Sequence, residues 1–381
     1  MTRLVPRTIL DIHVVQTVPP SNINRDDTGS PKTAVYGGRR RARVSSQAWK
    51  RATRTDFDGL LDRSELGVRT KRVVELVSER ITKRDAMLTE QALDLAHKTI
   101  TAAGINLKPA RKADAPHESG YLVFLSNPQI DALADLAVTA HHEADGGDVT
   151  IDKKEAKARA ARDRSVDLAL FGRMVADDPE LNVDAAAQVA HALSVHEVSN
   201  EYDYYTAVDD HKSADAEEDA GAGMIGTIEY NSSTLYRYAT VDVDRLRDTL
   251  GRDEATRRAV EAFVRAFVAS MPSGKQTTFA NRTKPDAVVV MVRDTQPINL
   301  VGAFETPVTD DGDGGRSAAA VRRLGDYAAE VHEAYDEQPV TALGVAVGDR
   351  GTALDGLAER VSFDEAVQRV GAAVDERLGT E

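Results

Sequence analysis

Cysteine is absent from all 381 residues, which excludes disulfides, thiolate zinc sites and cysteine nucleophiles. No apolar run approaches the ~18 residues that a membrane-spanning helix needs. The first twenty residues carry Arg3, Arg7 and Asp11 within their apolar stretch and lack the layout of a signal peptide. A cytoplasmic location with no membrane partner is the resulting expectation. Also missing are a Walker-type phosphate loop, an H-E-x-x-H motif and a nucleophile elbow. The nine histidines, among them His141–His142 and His191 with His196, show no convincing metal-ligand spacing. No internal repeat and no long low-complexity tract occurs.

One further absence is local. Thr28 to Thr55 contains neither Asp nor Glu, although acids outnumber Lys and Arg by 62 to 48 over the whole chain. The same segment holds eight cations: Lys32, Arg39, Arg40, Arg41, Arg43, Lys50, Arg51 and Arg54. Taken as a sum, the net charge of -14 argues against nucleic acid, because phosphates repel an acidic surface. Its distribution argues the other way. A basic island in an acidic protein is a localised electrostatic footprint, and the acidic remainder discourages non-specific binding elsewhere.

The elements that are present read as α+β. Thr8–Gln16 alternates Leu10, Ile12 and Val14 with Asp11 and His13, which predicts a half-buried strand ended by Pro19-Pro20. Residues 21–38 read as a long loop and 39–44 as a short basic strand. A helix follows, with Ser45 or Ser46 as N-cap. On it Gln47, Lys50, Arg51 and Arg54 share one face, while Ala48, Trp49 and Ala52 lie opposite. Residues 60–180 read as mostly helical, interrupted near Pro109–Pro116 and Gly146-Gly147, and 183–196 as helical or mixed. Residues 201–224 suggest a mobile arm and 227–243 a strand. Val260, Phe263, Val264, Phe267 and Val268 predict a core helix. A second loop (272–284), a buried strand (287–292), a loop at 310–315 and two helices complete the chain.

Each candidate site has two readings. The basic island is either a phosphate-binding face, with serine hydroxyls, Gln47 and the helix start adding hydrogen bonds, or a solvated face with a serine cap. Lys275, Gln276 and Arg282 are phosphate contacts or an ordinary polar loop. Asp26 and Asp27, beside Arg25, hold a divalent ion or serve as turn residues. Gly221, Gly223 and Gly226 spell G-x-G-x-x-G, but the motif leads into a strand, so flexible joints fit better than a dinucleotide loop. Tyr202, Tyr204 and Tyr205, with Met174, either stack on bases or pack at the base of an arm.

NRDDTGSPKTAVYGGRRRARVSSQAWKRATR (Asn24–Arg54) resembles the N-terminal signature of the CasC family, the crRNA-binding backbone subunit of the type I-E CRISPR Cascade complex. The resemblance continues in order through VDLALFGRM, DAAAQVAHALSVH, DYYTAVDD, LYRYATVDV and GKQTTFA, ending at Ala280. It is loose in the helical block and in the C-terminal hundred residues. It implies a modified RRM-like (ferredoxin-like) palm with a helical fingers insertion and a protruding thumb arm. The palm is expected in 1–60, 181–197 and 231–381, the fingers in 61–180 and the thumb in 198–230.

The resemblance also implies copies stacked along a crRNA, kinking it at intervals and presenting its bases to target DNA, with other Cascade subunits as partners. It implies no cofactor, metal or catalytic residue. Arg25, Lys32, Arg39, Ser45, Gln47, Lys50, Arg51 and Arg54 fall at positions that grip the RNA backbone, and Arg41 and Ser46 lie among them. Lys275 and Gln276 fall in a second contacting loop. Met174 and Tyr205, with Thr206 beside it, fall at a base wedge in the fingers and thumb. Arg39 and Tyr205 stand where the family pattern has Lys and Phe. The competing expectations are a metal-dependent ribonuclease using Asp26 or Asp27, and an oligomeric scaffold without RNA.

Overall fold

The computed structural model describes residues 7–112, 115–175, 178–207, 224–309 and 314–379. In chain order the elements are β1 (Ile9–Ser21), β2 (Thr33–Tyr36), β3 (Arg39–Val44), α1 (Ser46–Asp56), β4 (Gly67–Thr70), α2 (Val73–Arg84), α3 (Ala92–Ala102), β5 (Leu107–Lys108), β6 (Glu118–Ser119), β7 (Val123–Ser126), α4 (Asn127–Glu143), α5 (Lys153–Ala161) and α6 (Val166–Phe171). They continue with β8 (Ala187–Val189), β9 (Ala192–Ser194), β10 (Glu201–Ala207), β11 (Met224–Asp242), α7 (Val243–Leu250), α8 (Asp253–Ala269), α9 (Gln276–Phe279), β12 (Ala287–Arg293), α10 (Gly315–Tyr335), β13 (Thr341–Ala346), β14 (Glu359–Arg360) and α11 (Phe363–Leu378). The fold is mixed α/β, with one large mixed sheet and many helices. Two units divide it: residues 1–55, 189–240 and 263–377 form the first, and 56–188, 241–262 and 378–381 the second.

The first unit is built on the sheet, whose order is β14-β13-β12-β1-β11-β9-β3-β2, with β8 and β10 also paired to β11. Only β13 and β14 are described as a parallel pair; β1 with β12, β12 with β13, β9 with β3 and β11, β10 with β11, and β2 with β3 run antiparallel. One face packs on α10 and a 3₁₀ turn at Leu300–Phe304 through Val289, Met291, Tyr236, Phe304, Val321 and Leu324.

β1 departs from the sequence expectation in two ways. It continues through both prolines to Ser21, past the Ile9–Val15 stretch that pairs with β12, so that ladder does not need the N–H groups the prolines lack. Both of its faces are buried, including Asp11, His13 and Gln16. These polar groups are satisfied at long range. Arg293 on β12 meets Asp11 at 2.8 Å with both side chains fully buried, and the Tyr238 hydroxyl donates to Asp11 at 2.6 Å. The His13 ring meets the Tyr236 hydroxyl at 2.9 Å, and burial lowers its pKa to about 3, so it is a neutral core group. Within 183–196, read from sequence as helical or mixed, the structure forms the short strands β8 and β9: both find partners on β11, and tertiary pairing overrides alanine's helical preference.

The second unit is mainly helical, as the sequence suggests for 60–180, with the short pairs β4–β7 and β5–β6 added. Its own core joins Val77 and Ile81 of α2, Leu95 and Ile100 of α3, and Ile130 and Leu133 of α4. Ser126 and Gln129 form a reciprocal capping box with Pro128 in the first turn, which fixes where α4 begins. Among the described residues no helix is long and apolar enough to cross a membrane.

Candidate nucleic-acid interface

α1 carries the basic face, and Trp49 fixes its orientation. Trp49 is buried, and the buried Arg237 guanidinium stacks 3.7 Å above its ring and 4.7 Å from that of Phe267. Arg237 donates to Gln16 Oε1 at 2.5 Å and to the Phe267 carbonyl, neutral partners that leave burial to push its pKa down to about 9. Trp49 and Thr53 thus turn inward, and Gln47 and Arg51 are exposed while Lys50 and Arg54 are half-buried. Burial lowers the Lys50 pKa. Ser45 caps the helix: its hydroxyl accepts the Ala48 N–H at 3.3 Å. Ser46 starts the helix, and its N–H is taken by His191 Nδ1 at 3.2 Å.

The loop before β2 is a folded turn. Asp26 Oδ1 accepts from the Thr28 N–H, the Thr28 hydroxyl and the Ser30 N–H at 2.9, 2.7 and 3.0 Å, which holds its carboxyl below the usual range. Asp26 therefore does the work of an Asx turn, and Asp27 is exposed beside it. The Asn24 carboxamide oxygen accepts the Ser45 N–H at 2.8 Å, tying this loop to the helix cap. Arg25 is exposed, and Lys32 is half-buried.

The second loop joins the first. A side chain at Gly274 would collide with the Ile23 carbonyl, so only glycine permits this approach. Directly after it, Lys275 and Ala280 adopt left-handed conformations (φ 51° and 47°) at either end of the single turn α9. The loop thereby starts against the first loop, with Lys275 half-buried and Gln276 exposed directly after the contact, while the exposed Arg282 donates to the Ala269 carbonyl at 3.4 Å. The sheet unit thus carries Arg25, Lys32, Arg39, Ser45, Ser46, Gln47, Lys50, Arg51, Arg54, Lys275 and Gln276, and the Asn24 bond and the Gly274 contact join the two loops to the start of α1.

Arg41 does not join this face. It is fully buried, and its guanidinium donates to the carbonyls of Ser194 (3.0 Å), Phe304 (3.0 Å), Glu305 (2.9 Å) and Tyr36 (3.3 Å). Expected among the RNA-contacting residues, it instead pins the β2–β3 hairpin to the 300–305 turn, and burial lowers its pKa. Exposed Arg39 pairs with Glu197 at 3.6 Å. Arg25, Lys32, Arg40, Arg43, Lys50 and Arg51 form no ion pair among the described residues.

The wedge candidates lie on other elements. Met174 is 83% exposed, an unusual position for a large apolar side chain. Arg173 holds it there: its buried guanidinium donates to the carbonyls of Leu181, Phe124 and Ala160, and its pKa is lowered by burial to about 10. Tyr205 on β10 faces Gly226 on β11, and its ring fills the space a side chain at Gly226 would need. Gly226 is therefore a strand residue under an aromatic ring and not a joint. Tyr202 and Tyr204 are more exposed still. Thr206 lies within β10. Gly221, Gly223 and the rest of the expected arm at 208–223 lie outside the described residues.

His191 and Arg43 are additions that sequence alone did not single out as a pair. The Arg43 guanidinium lies 3.4 Å from His191 Nδ1, and the Lys32 carbonyl accepts the Arg43 N–H at 2.9 Å. The contact joins residues 148 apart, so no local signal announces it.

Residues 10–369 match the family profile described as CT1975-like protein. Among solved structures, a chain of a CRISPR RNA-guided surveillance complex in a pre-nicking state is 36% identical, with a TM-score of 0.85, covering 96% of this chain and 100% of that one. A chain of another CRISPR RNA-guided surveillance complex is 33% identical, with a TM-score of 0.75, covering 96% and 99%. No curated protein matches.

Proposed function

The chain belongs to the CT1975-like protein family, and from that premise we propose that it is the crRNA-binding backbone subunit of a type I-E CRISPR Cascade complex, of the CasC kind. One observation carries the proposal. The sheet unit presents Arg25, Lys32, Arg40, Arg43, Lys50 and Arg51 with no ion pair among the described residues, on a hairpin, a helix and a loop fastened by Trp49, Asn24 and Gly274. Such a face suits a phosphate backbone, which exchanges its counterions for the protein's cations. The structural relatives, whose complexes are RNA-guided, support the same reading.

In this reading the sheet unit is the palm, with an RRM-like core, and the helical unit corresponds to the fingers. β10 and β11 begin the thumb. Arg25, Lys32, Arg39, Lys50, Arg51, Arg54 and Lys275 bind phosphates, and Ser45, Ser46, Gln47 and Gln276 add neutral hydrogen bonds. Met174, Tyr205 and Thr206 wedge at a displaced nucleotide. The protein holds backbone and shape, and base pairing with target DNA reads sequence. Holding the guide's bases outward reduces the conformational entropy lost on pairing. Several copies share one guide in the cytoplasm with other Cascade subunits, and the subunit breaks no bond.

Co-expression with a crRNA and the partner subunits tests the proposal. A high ratio of absorbance at the nucleic-acid maximum over the protein maximum is expected, in a large assembly that ribonuclease collapses. Failure to retain RNA under these conditions would return the scaffold alternative. Incubating the assembly with complementary RNA and Mg²⁺ tests the non-catalytic role; regular cuts lost on Asp26→Ala or Asp27→Ala would establish a ribonuclease instead.

A further inference from the structure

Resting on the reading that this face holds RNA phosphates, we infer that His191 is a further RNA-contact residue and couples RNA binding to the uptake of a proton. The ring is exposed in the turn between β8 and β9. Its Nδ1 accepts the Ser46 N–H at 3.2 Å, and Arg43 Nη1 lies 3.4 Å from the same atom. A nitrogen faced by two donors carries no proton, so the neutral ring bears its hydrogen on Nε2.

The groups around the ring are one-sided. From β3 it meets Arg43, from the segment before β2 it meets Lys32, and from α1 it meets the Ser46 amide. Burial and these two cations lower its pKa, and no carboxylate contributes. Neither cation has an ion pair among the described residues. The sheet holds them in place, with Arg43 opposite Leu193 and Val44 opposite Ala192. The Gln47 N–H, next in the helix, meets no acceptor among the described residues. Donors and cations thus converge where the protein supplies no anion.

A phosphodiester supplies it. Beside a phosphate the imidazolium becomes the favoured form, the reverse of the free protein. A proton from solvent adds to Nδ1, the bond from the Ser46 N–H is released, and that amide turns to a phosphate oxygen. No bond in the RNA changes. The pKa of His191 lies below its ordinary value when free and rises when RNA is bound. Between those two values binding takes up a proton, so affinity rises as pH falls, and above both it levels off.

The test is fluorescence anisotropy with a fluorescein-labelled single-stranded RNA at fixed salt, between about pH 5.5 and 8. The full chain is expected to bind more tightly at lower pH, by up to about tenfold per pH unit for one proton. His191→Asn keeps an oxygen for the Ser46 N–H but does not titrate, and it is expected to flatten the slope. Calorimetry in two buffers of different ionisation enthalpy reads the proton uptake directly, and this too is expected to vanish in the variant. RNA bound with equal slopes and equal proton uptake by both proteins overturns the role of His191. Absence of RNA binding at every pH overturns the phosphate-binding reading beneath it.

Discussion

In the helical unit, Arg84 reaches Asp131 and Asp135, Arg159 reaches Glu155 one turn away at 2.7 Å, and Lys98 reaches Asp94 at 2.9 Å. On the β2–β3 hairpin and α1 of the sheet unit, Arg40, Arg43, Lys50 and Arg51 reach no carboxylate among the described residues. The residue types are the same and the surroundings differ. A paired surface cation is neutralised locally and contributes little. A set of unpaired cations repels itself until a polyanion arrives, which is what the proposed function asks of this face. Within the same basic segment, Arg41 shows a third condition, burial among carbonyls, in which the guanidinium is architecture.

The largest expected effect separates that third condition from the other two. Arg41→Ala leaves several buried carbonyls without donors and is expected to cost about 3 kcal/mol or more of stability in urea titration. Arg40→Ala, at the exposed residue immediately before it, is expected to leave the urea midpoint in place. Next comes the comparison itself. Lys50→Glu with Arg51→Glu is expected to weaken RNA binding about a hundredfold, about 2.8 kcal/mol, while melting is unchanged. Reversing Arg84 is expected to lower the melting temperature slightly and leave RNA binding alone; loss of RNA binding there would erase the distinction between paired and unpaired cations.

Salt sharpens the same contrast. Seven cations of the Thr28–Thr55 segment remain once Arg41 is set aside, and at about 0.7 per single-strand contact the log-log slope reaches about -5 per subunit. A flat dependence would contradict the electrostatic account. Ser45→Ala, which removes the cap of α1, is expected to cost about 1 kcal/mol. The smallest effect is that of Glu155→Gln in the helical unit, about 0.3–0.5 kcal/mol by urea titration, with RNA binding unmoved.

Much of this was legible in the sequence where the cause is local. The helical period placed Trp49 inward and Arg51 outward, and the buried run at Ala287–Val292 and the core helix around Phe263 and Phe267 followed from their own patterns. The failures share one origin, contact at long range. Asp11 and His13 look solvent-facing until Arg293, Tyr236 and Tyr238 arrive from distant strands. Arg41 looks like its neighbours until the 300–305 turn brings its carbonyls, and His191 looks isolated until β3 and α1 close around it. β13 and β14 went unseen for a related reason: a short strand at one side of a sheet owes its existence to its partner more than to its own residues.

Trp49 also makes the molecule its own optical instrument. It is the chain's single indole, buried under a guanidinium on the inner side of the helix whose outer side carries Gln47 and Arg51. Tryptophan emission therefore originates from one known point. A shift of that emission to longer wavelength reports the unseating of α1 from Arg237 and Phe267, with no dye attached and no second tryptophan to subtract.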